Sequence, residues 1–135
     1  MHQPLLLARP FPAQLILAIV LPIAFGALTG WMLSVSEVAY LVLSLLGVLG
    51  GIGAGYDHLG ASEGLVRGIL GGALFGLAIL AAHSLVDNVA KAHLVEPQWI
   101  LVIITTVLGA LFGAWGGSLR AKSEAKRDAG VAQPA

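Results

Sequence analysis

The chain has 135 residues, of which 58% are apolar and only 10% are charged, and its mean hydropathy is +0.92. Soluble domains carry about 25% charged residues, so this composition is typical of a membrane protein. The net charge of zero argues against nucleic acid as a partner, and the absence of cysteine excludes disulfides, iron–sulfur clusters and thiolate zinc sites.

Four long stretches of the sequence contain no charged residue. They cover residues 10–36, 38–56, 68–86 and 97–119. A helix needs about 20 apolar residues to cross a hydrocarbon core of ~30 Å, and none of these stretches alternates apolar with polar residues as a barrel strand would. The pattern therefore predicts four transmembrane helices at about 11–33, 38–57, 64–86 and 98–119.

These helices predict an all-α integral membrane protein. Residues 1–120 form the predicted four-helix transmembrane domain, and residues 121–135 form a polar cytoplasmic tail. The apolar run of the first helix is longer than the ~7–15 residues usual in a signal peptide, so we expect it to be retained as a helix.

Basic residues predict the orientation. Six of the seven fall on one side of a four-helix topology, and only Lys91 falls on the other. The six are Arg9, Arg67, Arg120, Lys122, Lys126 and Arg127. Because basic loops stay in the cytoplasm, we expect a multi-pass protein of the plasma (inner) membrane with both termini cytoplasmic.

Glycines recur at every fourth position in three of the predicted helices. The set is Gly47, Gly51 and Gly55 in the second helix, Gly64, Gly68, Gly72 and Gly76 in the third, and Gly109, Gly113 and Gly117 in the fourth. Residues four apart share a helix face, and small residues let helix backbones approach closely inside lipid. The register predicts glycine-zipper packing. The first helix has a looser version with a kink at Pro22.

The second helix carries a further stripe of small residues, formed by Gly50 and Ala54 with Gly53 nearby. This is more glycine surface than one four-helix bundle needs. We therefore expect self-association, most simply as a homodimer.

Two parts of the sequence resemble each other. Residues 46–55 read LGVLGGIGAG and residues 108–117 read LGALFGAWGG, while Phe25-Gly26 matches Phe75-Gly76. Two copies of a helical hairpin would form a parallel repeat, related by an axis along the bilayer normal. The alternative is that glycine-rich apolar helices look alike by composition alone.

The second loop contains four ionisable residues within a short stretch: Asp57, His58, Glu63 and Arg67. One interpretation is a turn capped by Ser62, with Glu63 and Arg67 paired four residues apart. The other is an ion or ligand site at a cytoplasmic mouth, in which Arg67 contacts an anion.

On the opposite side, His83 and Asp87 are four residues apart on one helix face. They are weak candidates for two metal ligands, but two ligands without a third more often form an interfacial hydrogen bond, and Asp87 can pair with Lys91. We therefore expect no metal and no cofactor.

No charged residue lies at the centre of any stretch, which argues against proton-coupled transport. Small four-helix multidrug antiporters have a similar length but rely on a glutamate in the first helix, and this helix has none. Small fluoride channels have the same helix count, but their Gly-Arg and Phe/Thr-Ser motifs have no place here. No nucleophile–base motif or phosphate loop is visible, so we expect no enzyme.

Five hydroxyl residues lie inside the predicted helices: Thr29, Ser44, Thr105, Thr106 and Ser118. Such hydroxyls usually bond back to a carbonyl of their own helix, but they can also line a pore. The prediction is a homo-oligomeric channel or passive transporter for a small solute or an ion. The alternatives are a non-catalytic accessory or assembly subunit of a larger membrane complex and, with least support, a sensor that uses the loop residues.

Overall fold

The computed structural model describes residues 4–86 and 89–132, and these form an all-helical bundle. Its helices are α1 (Phe11–Leu33), α2 (Glu37–Tyr56), α3 (Ala61–Ser84) and α4 (Ile100–Ala132). Each is long and apolar enough to cross a membrane, so the four predicted spans are confirmed and suggest a multi-pass membrane protein.

Helix α1 is interrupted by a turn of π-helix at Ile16–Val20, just before Pro22. A short 3-10 turn, Leu6–Ala8, precedes α1, and Leu6 is buried. Helix α2 begins after Ser36, whose Oγ accepts a hydrogen bond from the Ala39 N–H at 3.3 Å.

Helix α3 begins earlier than predicted, and Ser62 does not cap it. The N-cap is Gly60, which has φ 118°, a backbone conformation that strains any residue with a Cβ. The Gly60 N–H donates to the Gly117 carbonyl at 3.1 Å and thereby ties this turn to α4. The chain reverses here because glycine permits the geometry, and the hydroxyl of Ser62 is not needed.

Helix α4 continues well past the predicted span, to Ala132. Residues 121–132 are polar and mostly exposed, yet they remain helical. The pair between Arg120 Nε and Glu124 Oε1, 2.8 Å apart and four residues apart in sequence, lies at the start of this extension.

Helix α3 lies at the centre of the bundle and packs most extensively on α4 and α1. At several contacts only glycine fits: a Cβ on Gly68 would collide with the carbonyl of Gly109, and one on Gly64 with that of Gly113. The role of the glycine zipper as the source of stability stays a prediction.

The bundle has two chemically different ends. One end, the charged end, carries Arg9, Asp57, Glu63 and Arg120. Toward the other, opposite end, Leu33, Tyr40, Phe75 and Ile79 form a buried cluster together with Ala92 and Leu94.

Four hydroxyls bond back to their own helices, as the more common interpretation predicts. The Thr29 and Thr106 hydroxyls donate to the carbonyls of Phe25 and Val102, at 2.8 and 2.6 Å. Those of Thr105 and Ser118 donate to carbonyls three residues back. These hydroxyls therefore satisfy themselves locally.

Candidate functional site

A cavity of about 260 Å³ lies between α1, α2 and α3, with α4 forming its back wall. Leucine and phenylalanine side chains of α1 and glycines of α2 and α3 make up most of its lining. Among the described residues that line it there is no carboxylate, and the single charged side chain is that of Arg67.

Arg67 is buried, with only 7% of its surface exposed. Its Nη2 donates to the carbonyl of Leu17 on α1 at 2.7 Å. Its Nη1 is also buried, and it has no hydrogen-bond partner among the residues that the structure describes. An unpaired guanidinium nitrogen inside an apolar bundle is costly, so this atom needs an explanation.

Gly71 makes room for the guanidinium. A Cβ at this position would lie 2.9 Å from Arg67 Nη1. Long basic side chains near helix ends usually extend toward the water interface. The head of Arg67 instead lies over the next turn of α3, farther from the charged end than its own backbone.

The carbonyl of Leu17 can accept this bond because α1 leaves it without a helical donor. In the π-helical turn the Leu21 N–H donates to Ile16, five residues back. The next residue in the same register is Pro22, which has no N–H. Neither Leu21 nor Pro22 therefore donates a hydrogen bond to the Leu17 carbonyl. The guanidinium of Arg67 donates to it instead.

Phe25 and Phe75 close the cavity toward the opposite end. Their rings stack with centroids 6.0 Å apart and planes inclined by 21°. A Cβ on Gly47 of α2 would meet the Phe75 ring, so this helix also lies directly against the pair. Phe75 belongs to the buried cluster that includes Leu33 and Ile79, and Phe25 packs against that cluster.

At the charged end, Asp57 ties the segment before α1 to the α2–α3 loop. Its carboxylate pairs with Arg9 Nη2 at 3.0 Å, and its carbonyl accepts the Leu6 N–H at 3.0 Å. Asp57 also interacts electrostatically with Arg67.

His58 is nearly buried beside these charges. Its Nδ1 lies 4.0 Å from Glu63 Oε2, and its Nε2 has no partner among the described residues. Burial lowers the pKa of His58 below its usual value, and the positive charge of Arg67 lowers it further, against the opposing effects of Glu63 and Asp57. The net effect favours the neutral imidazole.

The four predicted mouth residues therefore gather at one end, but not in the predicted pairing. Glu63 faces His58, and Arg67 bonds Leu17 in place of Glu63. The pairing of Glu63 with Arg67 is wrong because the freed carbonyl on α1 gives the guanidinium a buried acceptor. Arg67 therefore belongs to the cavity, and Asp57, His58 and Glu63 belong to the loop behind it.

The candidate metal ligands do not form a described cluster. His83 Nδ1 is hydrogen-bonded to Ser34 Oγ at 2.9 Å, while Asp87 lies outside the described residues. Within residues 4–86 and 89–132 there is no group of three or more metal-binding side chains.

The second stripe of α2 divides into two environments. Gly50 and Ala54 line the cavity, whereas Gly53 does not. A Cβ on either Gly50 or Gly53 would meet no atom within 4 Å. Part of the stripe thus borders the cavity in front of Arg67. The sequence pattern predicts only a contact surface between protomers for this stripe.

Sequence reasoning missed three residues of the site: Leu17, Pro22 and Gly71. Gly71 lies four residues after Arg67, a spacing that indicates contact along a helix. Pro22 was predicted to kink α1, and its more specific effect is to remove the donor for Leu17. No sequence signal connects Leu17 with Arg67, which are fifty residues apart.

No family model matches the chain, and no similar curated protein or solved structure is found. Function therefore has to be inferred from the cavity and the arginine beside it.

Proposed function

We propose that this protein is a small membrane channel or passive transporter that carries an anion and binds it at Arg67. The observation that carries the proposal is the buried Nη1 of Arg67, unpaired beside an apolar cavity. Ionisable groups within a membrane domain are costly and usually serve a function. An anion in the cavity would supply the missing partner.

The charge of the cavity favours an anion over a cation. A cation would meet the guanidinium in an apolar space without a carboxylate to balance either charge. Removing an ion from water costs several kcal/mol, and only an opposite charge with good geometry offsets this. Arg67 can offset it for an anion alone.

The closed side of the cavity favours a gated or alternating pathway. The Phe25–Phe75 pair and the buried cluster around it separate the cavity from the opposite end. Passage then requires the two rings to part, which small rotations of α1 and α3 would allow. The hydroxyls of Thr29, Thr105, Thr106 and Ser118 are bonded to their own helices and offer the ion no continuous polar path, so Arg67 is the main binding point.

We further propose that the charged end faces the cytoplasm in the plasma (inner) membrane, because Arg9 and Arg120 lie there and Lys91 lies on the other side. The chain lacks cysteine, so single cysteines at Ser123 and Gln98 report the two sides directly. A membrane-impermeant thiol reagent added to intact cells should label the variant at Gln98 and spare the one at Ser123.

Self-association stays part of the proposal, since Gly53 faces no other described atom and leaves one side of α2 open to a second copy. Native mass spectrometry in mild detergent tests it. A strictly monomeric species would contradict the homodimer without touching the anion site.

The decisive experiment is flux from liposomes loaded with potassium salts of small anions. Anion efflux should occur only when valinomycin lets potassium leave as well, because an anion moving alone builds up an opposing potential. Arg67→Gln should lower the flux at least ten-fold, and Lys126→Gln, a change to an exposed residue of α4, should leave it unchanged.

Efflux of potassium salts without valinomycin would point to a cation pathway and overturn the proposal. No flux for any anion, combined with recovery of one stoichiometric partner from membranes, would favour the accessory subunit instead.

A further inference from the structure

The Arg67 cavity offers a ligand one positive charge and otherwise apolar surface. Leu17, Phe25 and Phe75 border it, and the hydroxyl of Thr105 is engaged with its own helix. A ligand that fits must therefore carry its charge at one end and be apolar elsewhere.

A small inorganic anion matches this environment poorly. Such an ion would lose its hydration shell and find one guanidinium nitrogen in return, because Nη2 is held by Leu17. An organic anion loses less hydration, and its apolar body gains from burial against the leucine and phenylalanine side chains.

The charge count limits the ligand to a monoanion. Arg67 contributes a single positive charge, and Asp57 behind it is already paired with Arg9. A dianion would leave a second negative charge in the apolar space without a partner. A carboxylate fits the requirement, because it is compact, singly charged and a strong acceptor for a guanidinium N–H.

The size of the cavity limits the body of the ligand. Pockets for drug-sized ligands run from about 300 to 1,000 Å³, and this cavity of about 260 Å³ lies just below that range.

We propose that the ligand is a small organic monocarboxylate, with its carboxylate on Arg67 Nη1 and its apolar body between α1 and α2. This assignment rests on the anion-binding site at Arg67 that the proposed function requires. Its chemistry is shared by free aromatic or aliphatic acids and by fatty acids from the bilayer, and the cavity volume favours the free acids.

Calorimetric titration of the full chain in a nonionic detergent tests the assignment with benzoate as the probe. Benzamide keeps the shape without the charge, phenylphosphonate adds a second charge, and chloride lacks the apolar body. Benzoate should bind at least ten-fold more tightly than each of these. Oleate represents the bilayer source, and binding of oleate without binding of benzoate would overturn the assignment.

Two glycines at which an added Cβ meets no neighbouring atom provide matched variants. A Cβ at Gly50 of α2 or at Gly130 of α4 meets no atom within 4 Å, but only Gly50 lines the cavity. Gly50→Leu should weaken benzoate binding at least ten-fold, and Gly130→Leu should preserve it. Equal benzoate affinity in both variants would overturn the placement of the ligand.

The two proposals fail separately. Benzoate binding that depends on Arg67 and Gly50, without flux of any anion, keeps the ligand assignment and overturns transport. Flux of chloride that exceeds flux of benzoate keeps an anion pathway and overturns the monocarboxylate.

Discussion

Arg67 of α3 donates a hydrogen bond to the carbonyl of Leu17 on α1, at 2.7 Å, where the π-helical turn and Pro22 leave that carbonyl without a backbone donor. One guanidinium nitrogen thus serves the fold and the other faces the cavity. The two roles are separable because lysine has only one nitrogen.

We expect Arg67→Lys to keep the fold and lose the function. The lysine ammonium can satisfy Leu17, whose unpaired carbonyl would otherwise cost about 1–3 kcal/mol, but it cannot also reach an anion from the position of Nη1. Anion flux should fall about ten-fold, a factor that corresponds to ~1.4 kcal/mol. The melting temperature should stay near that of the parent. Arg127→Lys on the exposed part of α4 is the control, and wild-type flux in Arg67→Lys would contradict the two-nitrogen role.

A second prediction concerns the contact between α3 and α4. Gly68→Ile should lower the melting temperature by about 5 °C or more, because overpacking costs ~1–3 kcal/mol even where side chains can adjust, and here the obstacle is the backbone of Gly109. Gly130→Ile is the matched control, since a Cβ at this exposed position meets no atom within 4 Å. The measurement is thermal unfolding in detergent. Equal melting temperatures of the two variants would contradict the prediction that the glycine contacts stabilise the bundle.

The sequence predicts the spans well because crossing lipid requires length and the absence of charge, and both are local properties. It predicts the ends less well. The start of α3 depends on the positive φ of Gly60, which the Ser62 pattern obscures. The extension of α4 to Ala132 follows from residues with good helix propensity beyond the apolar stretch, which hydropathy does not detect.

The site is harder to predict because it depends on long-range pairing. In the sequence, Arg67 lies at the edge of an apolar stretch, and Glu63 is one helical turn before it. Its actual environment combines a carbonyl freed on α1, a glycine on its own helix and a space bordered by α2. Each part alone is an ordinary helix feature, and only the packing of three helices brings them together.

A third prediction concerns the gate. Phe75→Ala should raise anion flux several-fold, because removing one ring of the stacked pair opens the cavity toward the opposite end. The same change creates a void and should cost about 3–5 kcal/mol of stability, so flux must be normalised to folded protein. Phe112→Ala, which removes a ring that contacts Trp115 away from the cavity, should leave the flux unchanged. Lower flux in Phe75→Ala would assign Phe75 to ligand binding in place of closure.

The fourth prediction follows from His58. Burial and the nearby Arg67 lower its pKa in the folded chain below the usual value of 6.5, and Glu63 and Asp57 offset this only in part. Between the folded and unfolded pKa values the unfolded chain binds more protons, so stability rises with pH in that window. The contribution of His58 is therefore complete above about pH 6.5 and is lost as the pH falls through the lowered pKa.

Melting temperatures at about pH 7.5 and about pH 5.5 measure this loss. The parent should be less stable at the lower pH, and His58→Gln should reduce the difference by at least half, because its amide does not titrate. His93→Gln controls for a histidine that is exposed, and it should retain the difference found in the parent. If His58→Gln keeps the full difference as well, the acid sensitivity does not arise from His58.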